Sequence, residues 1–102
     1  MSELSILQMK FSLMIAKLII HAYELGYTIT MGEGYNAAGI GHKPGSNHYI
    51  KLAQDLNLFK DGDWLKDGSG HDKLHDYWDS LGGAPRILKD MNHYSVVYNG
   101  RY

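Results

Sequence analysis

Three polar side chains stand where their neighbours are apolar or aromatic: His48 in "NHYIKLA", Asp55 in "LAQDLNL" and His93 in "NHYSVVY". An ionised carboxylate taken out of water needs a partner or a metal, and strand interiors otherwise exclude it. A catalytic zinc takes three protein ligands of His and carboxylate type and leaves the fourth position to water. Two neutral imidazoles and one carboxylate leave such a site at net +1, which acidifies a bound water toward a pKa of ~7. Asp90 stands three residues before His93 and is the candidate general base for that water. In a strictly extended strand His48 and Asp55 would face opposite sides, since seven is odd. A turn or bulge near His48, at Gly45 and Ser46, is therefore required.

The other histidines read as bland. His21 lies in the first helix without a metal-type neighbour. "HDKLH" spaces His71 and His75 four apart, as in a zinc-binding helix, but Asp72 stands where that pattern has its glutamate. His71 directly follows "DGSG" and can precede the first helical turn. The expected reading is one flanking polar residue and one partly exposed helix residue.

Around these residues the chain reads as one α+β domain, a small, mostly antiparallel sheet packed against two helices. Apolar residues from Leu4 to Ala22 recur at spacings of three and four, a helix over residues 3–25 that Gly26 stops. "YTITM" alternates as a half-buried strand, and "GEGYNAAGIGHKPGSN" is a long loop of the kind that carries function. A strand runs from Ile50, with Ile50, Leu52, Leu56 and Leu58 on one parity. Asp61-Gly62 turns it back through Trp64. "HDKLHDYWDSL" is a short helix and "NHYSVVY" a final strand. Trp64, Trp78, Met9, Met14 and Met31 are expected in the core, and Tyr94 to pack rather than line a cleft. Ser46 and Asn47 are expected to order the His48 loop by local bonds to the backbone.

The 102 residues suffice for a single core. A net charge of −1 without a Lys/Arg cluster argues against nucleic acid, and the absence of cysteine leaves His, Asp and Glu as the metal ligands available. The apolar run Phe11–Ile20, interrupted by Lys17, falls short of the ~20 residues that span a bilayer. It lacks a signal-peptide cleavage site. A monomeric, cytoplasmic protein without a membrane span is expected.

"SNHYIKLAQDLNL" resembles the S-x-H-x-x-x-x-A-x-D-L signature of zinc peptidases that cut peptidoglycan stem peptides. These are the VanY-type D-alanyl-D-alanine carboxypeptidases and the L-alanyl-D-glutamate peptidases of phage endolysins. Ser46, His48, Ala53, Asp55 and Leu56 match that signature, and Asp90, His93 and Tyr94 match the family's second one. The resemblance runs from Phe11 onward. It implies that His48, Asp55 and His93 bind zinc and that Asp90 handles the proton. It implies a bacterial peptidoglycan stem peptide as partner, with action at the cell wall from the host cytoplasm. Two departures stand out. Asn36 occupies the place of a loop arginine that stabilises the oxyanion or grips substrate, and "GGAPRILKD" replaces a Trp-Gly-Gly segment. Losing one such donor costs ~3 kcal/mol of activation energy. Arg86 is the candidate replacement, with His42 and Lys43 behind it; its bland alternative is a surface residue fixing the loop after Pro85. The rival to an enzyme is a non-catalytic wall-binding or virion structural module on the same fold.

Overall fold

The computed structural model describes residues 1–102. Helix α1 (Glu3–Glu24) is capped by Ser2, whose side chain accepts from the Ser5 amide. Its inner stripe, Phe11, Met14, Ile15, Leu18 and Ala22, packs into one core with Leu56, Leu58, Leu74, Trp78 and Tyr94. By length and a mean hydropathy of 1.4, α1 is long and apolar enough to cross a membrane, a test that the packed core helix of a globular domain also passes. The helix runs unbroken through Lys17 over its 22 residues, close to the expected 3–25.

The sheet is the expected small antiparallel one, of four strands. Strand β2 (Ala53–Lys60) lies at its centre. Strand β1 (Thr28–Met31) runs beside β2 with Thr28 opposite Phe59 and Met31 opposite Leu56. The two-residue strand β3 (Asp63–Trp64) follows the hairpin, where Asp61 and Gly62 both take positive φ, 52° and 82°. That is the backbone a two-residue turn with the strands' own twist demands. Strand β4 (His93–Ser95) pairs with the beginning of β2 and is shorter than "NHYSVVY" suggested. Beyond it the chain turns at Asn99–Gly100 and brings Arg101 back against Tyr98.

Helix α2 (His71–Ser80) covers the sheet beside α1, with Leu74 and Trp78 inside. Both of its histidines are buried, each 1% exposed. They are not the flanking and partly exposed residues expected. Tyr94, itself fully buried as expected, shares a 2.6 Å hydrogen bond with His71 Nδ1. His75 donates from Nε2 to the Met91 carbonyl at 2.7 Å, and Trp78 donates to Ser95 at 2.8 Å. These bonds make burial of the polar atoms tolerable. Three other expectations fail. Trp64 is 55% exposed, and Met9 and Met31 lie outside the core as well. Trp64 sits on a strand too short to be covered by a second layer, and Met9 on the outer side of α1.

Burial holds the His71 pKa down at about 4, helped by its neighbour His75 and opposed by Asp72, and burial lowers His75 too. Between pH 4 and 6.5 the unfolded chain therefore binds more protons than the folded one. Stability carried by His71 is complete above pH 6.5 and drains away as pH falls toward 4. Denaturant titrations across that window should show a loss of about 3 kcal/mol from this group. In His71→Gln the slope with pH should flatten.

Candidate metal centre

Asp55 and His93 are direct register partners across β2 and β4. The two-residue period of a strand then puts their side chains on the same face, opposite the one that gives Leu56 and Tyr94 to the core. His48 arrives differently. It lies in a short 3₁₀-helix (Asn47–Ile50), and the following Lys51 takes a left-handed conformation, φ 59°. The required turn therefore exists, with its reversal at Lys51 rather than at Gly45 and Ser46. Strand parity from residue 48 to 55 has no bearing once the chain turns between them.

The 3₁₀-helix is fastened over long distance. Ser46 caps it locally, accepting from the His48 amide at 3.3 Å, as expected. Asn47 instead reaches across the chain, donating to the Val96 carbonyl at 2.7 Å and to the Arg101 carbonyl at 3.2 Å. Arg101 returns a bond to Asn47 Oδ1 and another to the Ser46 carbonyl at 2.8 Å. No local pattern in the sequence announces this anchor, because its halves lie some fifty positions apart. On the other side the segment after β1 passes close by. Gly32 donates to the Asp55 carbonyl and Asp55 to the Glu33 carbonyl. A Cβ on Gly32 would stand 3.0 Å from the Asp55 carbonyl oxygen, a tight contact with backbone, so this close approach favours glycine there.

That approach decides the tautomer of His48. Its Nδ1 donates to the Gly34 carbonyl at 2.8 Å, which leaves the lone pair on Nε2. Nε2 faces Asp55 Oδ1 at 3.3 Å, and His93 Nδ1 faces the same oxygen at 3.3 Å. His48 and His93 are buried and Asp55 nearly so. The three ligand atoms lie within 4.8 Å of one another. Both contacts are long for hydrogen bonds to an ionised acceptor, which run about 2.7–2.9 Å. Two ligands at about 2.0–2.1 Å from a tetrahedral ion stand about 3.3–3.4 Å apart. The donor set and its spacing therefore fit a small divalent ion. Burial works against ionised Asp55, but hydrogen bonds and charge from His48 and His93 hold its pKa at about 2. Burial likewise opposes a charged His48, while Asp55 and the Gly34 carbonyl outweigh it and raise its pKa. Asp55 is thus a carboxylate at any physiological pH.

Asp90 lies in the turn before β4, its amide bonded to the Ile87 carbonyl and its carbonyl to the His93 amide. Its carboxylate is half exposed and comes to 4.0 Å from His93 Nδ1. With His48 and His93 it lines a cleft of about 230 Å³, together with His42, Lys43 and Tyr102. Arg86 is the one candidate the structure does not bring in. Its guanidinium is bonded to Asp76 at 2.7 Å and Asp79 at 3.0 Å on α2, and it does not line the cleft. Its contacts, which include the Asp72 carbonyl, are those of a surface residue tied to α2.

His42 was a secondary candidate and does reach the cleft. It pairs with Glu33, a residue no sequence signal picked out, and its ring stacks on His48 at 4.6 Å. Its backbone is held at both ends by the Tyr49 hydroxyl. Asn36, at the place of the missing arginine, organises this loop by bonds to Ile40 and Gly39. Glu33, His42 and His48 form a second group close enough to hold an ion. However, His48 has one lone pair and directs it at Asp55. His71 and His75 belong to neither group.

No protein-family model matches the chain, and no curated protein sequence does.

Added divalent metal should bind at one ion per chain, measured by elemental analysis after desalting. His48→Ala and Asp55→Ala should each lose it, and His75→Ala should keep it. Loss from His75→Ala alone would move the site to α2.

Proposed function

We propose that this protein is a zinc-dependent peptidase that hydrolyses an amide bond in the peptidoglycan stem peptide. One observation carries the reading. His48 Nε2, Asp55 Oδ1 and His93 Nδ1 converge, and Asp90 lines a cleft with the two histidines, its carboxylate 4.0 Å from His93 Nδ1. Three protein ligands with an accessible fourth side is the arrangement of a catalytic zinc, whereas a structural zinc is closed by four. The likeness of "SNHYIKLAQDLNL" and "DMNHYS" to the peptidoglycan peptidase signatures supplies the substrate class.

When bound, zinc supplies Lewis-acid polarisation of the scissile carbonyl and acidifies a water. Asp90 takes the proton of the attacking water and returns it to the leaving amine. The Gly34 carbonyl keeps the proton of His48 on Nδ1 and so keeps Nε2 free as a ligand. The preferred bond is the L-Ala–D-Glu amide of a phage or prophage endolysin, with the terminal D-Ala–D-Ala amide second. Such a lysin acts at the wall after release from the host cytoplasm.

One observation favours a second reading, a non-catalytic wall-binding or virion module. Arg86 is committed to Asp76 and Asp79, and Asn36 to its own loop, so neither offers the oxyanion a cation. Asp90→Asn separates the two. Zinc content should stay unchanged while cleavage of purified peptidoglycan, followed by release of free amino groups, falls about 10²–10⁴-fold. A wild type that holds zinc and releases no amines from any peptidoglycan would leave the module as the function.

A further inference from the structure

His48 is shared between two groups of metal-type side chains, which approach opposite nitrogens of its ring. Asp55 Oδ1 faces Nε2 at 3.3 Å, while Glu33 Oε2 stands 3.7 Å from Nδ1. Glu33, His42 and His48 each bring a ligand atom within 4.8 Å of the others, as the inner set does. A neutral imidazole has one nitrogen lone pair to give, so His48 serves one group at a time. Access separates the two groups. The side chains of His48, His93 and Asp55 are 2%, 7% and 17% exposed, against 29% for His42 and 43% for Glu33. As a clasp for the loop the Glu33–His42 pair is superfluous, because an exposed ion pair stabilises little. The loop is already fastened without it. The Tyr49 hydroxyl holds both the amide and the carbonyl of His42, and Asn36 bonds Gly39 and Ile40.

We propose that Glu33 and His42 form a receiving site for the divalent ion, from which it passes inward to His48, Asp55 and His93. An aquated ion must shed most of its waters before buried ligands can hold it, so such a centre needs an entry path. One carboxylate and one imidazole at the surface replace the first of those waters, with the ring proton of His42 carried on Nδ1. Two protein ligands are fewer than the three of a catalytic site or the four of a structural one, so they hold an ion weakly and release it. Position favours the same role. Tyr49 belongs to the 3₁₀-helix that carries His48, and by gripping His42 it stacks the two histidine rings at 4.6 Å. His42, His48 and His93 line one cleft, so the receiving pair opens onto the inner ligands without an intervening wall. The inference rests on the metal centre and not on the reaction performed there.

Cobalt(II) is the probe, because its visible absorption reports entry into nitrogen and oxygen ligands. The metal-stripped full chain is mixed with excess cobalt in a stopped-flow cell, and final cobalt content is measured after desalting. Glu33→Gln keeps a side-chain oxygen for His42, and so the clasp, but removes the carboxylate. It should take up cobalt about tenfold more slowly than wild type and reach the same final content. His42→Ala should behave alike. The slowing should persist in roughly 1 M salt, where charge reaches only about 3 Å, because ligation and not long-range attraction has been removed. In Asp55→Ala the receiving pair is intact, so calorimetry should detect weak cobalt binding that vanishes when Glu33→Gln is added. Equal uptake rates in wild type and Glu33→Gln would overturn the proposal. So would a slowing that salt abolishes, or weak binding in Asp55→Ala that survives Glu33→Gln. A lower final content in Glu33→Gln would make Glu33 a resident ligand and overturn it too. A wild type that takes up no cobalt would remove the metal centre itself, a failure distinct from equal rates.

Discussion

One carboxylate oxygen, Asp55 Oδ1, faces two buried imidazole nitrogens at equal distance. Removing an ionised group from water is costly unless opposite charge or a metal compensates it. The surrounding structure is arranged so that this compensation is always in place. The β2–β4 register sets His93 opposite Asp55, and the 3₁₀-helix sets His48 beside it. The Gly34 carbonyl selects the ring nitrogen that does the facing. A shift of β4 by a single residue would turn His93 to the other face of the sheet and leave Asp55 with half its support.

What prevents that shift is a second set of polar contacts on the opposite face. His71 to Tyr94 and Trp78 to Ser95 tie α2 to two residues of β4, and His75 to Met91 ties it to the turn just before the strand. Each bond crosses a core that holds no charge, so each is strong and geometrically demanding. The α2 histidines thus fix the register of the strand that carries His93. Asn47 and Arg101 do the equivalent for His48, tying the 3₁₀-helix to the chain's last turn. A three-residue strand and a single helical turn are both weak elements by themselves, and these cross-links let them position side chains accurately.

Much of this was legible in the residue pattern. The stripe of α1, the Asp61-Gly62 hairpin, the α+β class and the polar interruptions at positions 48, 55 and 93 follow from local periodicity and from the oddity of charge among apolar neighbours. Other features escaped because exposure is decided by what lies on top. Trp64 and Leu65 are adjacent in one short apolar pair, yet only Leu65 packs against the core. Arg86 looked like a free cation four residues from Asp90, but α2 presents Asp76 and Asp79 to it. The Glu33–His42 pair joins two ends of a loop that has no periodicity to read.

The sequence by itself determined which residues could hold a metal and which elements would carry them, because side-chain chemistry and strand and helix periods are local properties. Only the tertiary structure decided that His48 reaches Asp55 despite the wrong parity, and that the α2 histidines are buried braces instead of ligands. It alone decided that Arg86 turns away from the cleft while His42 turns toward it. Those outcomes depend on contacts between positions tens of residues apart, and such contacts are chosen by competition among all the burial and pairing options of the folded chain.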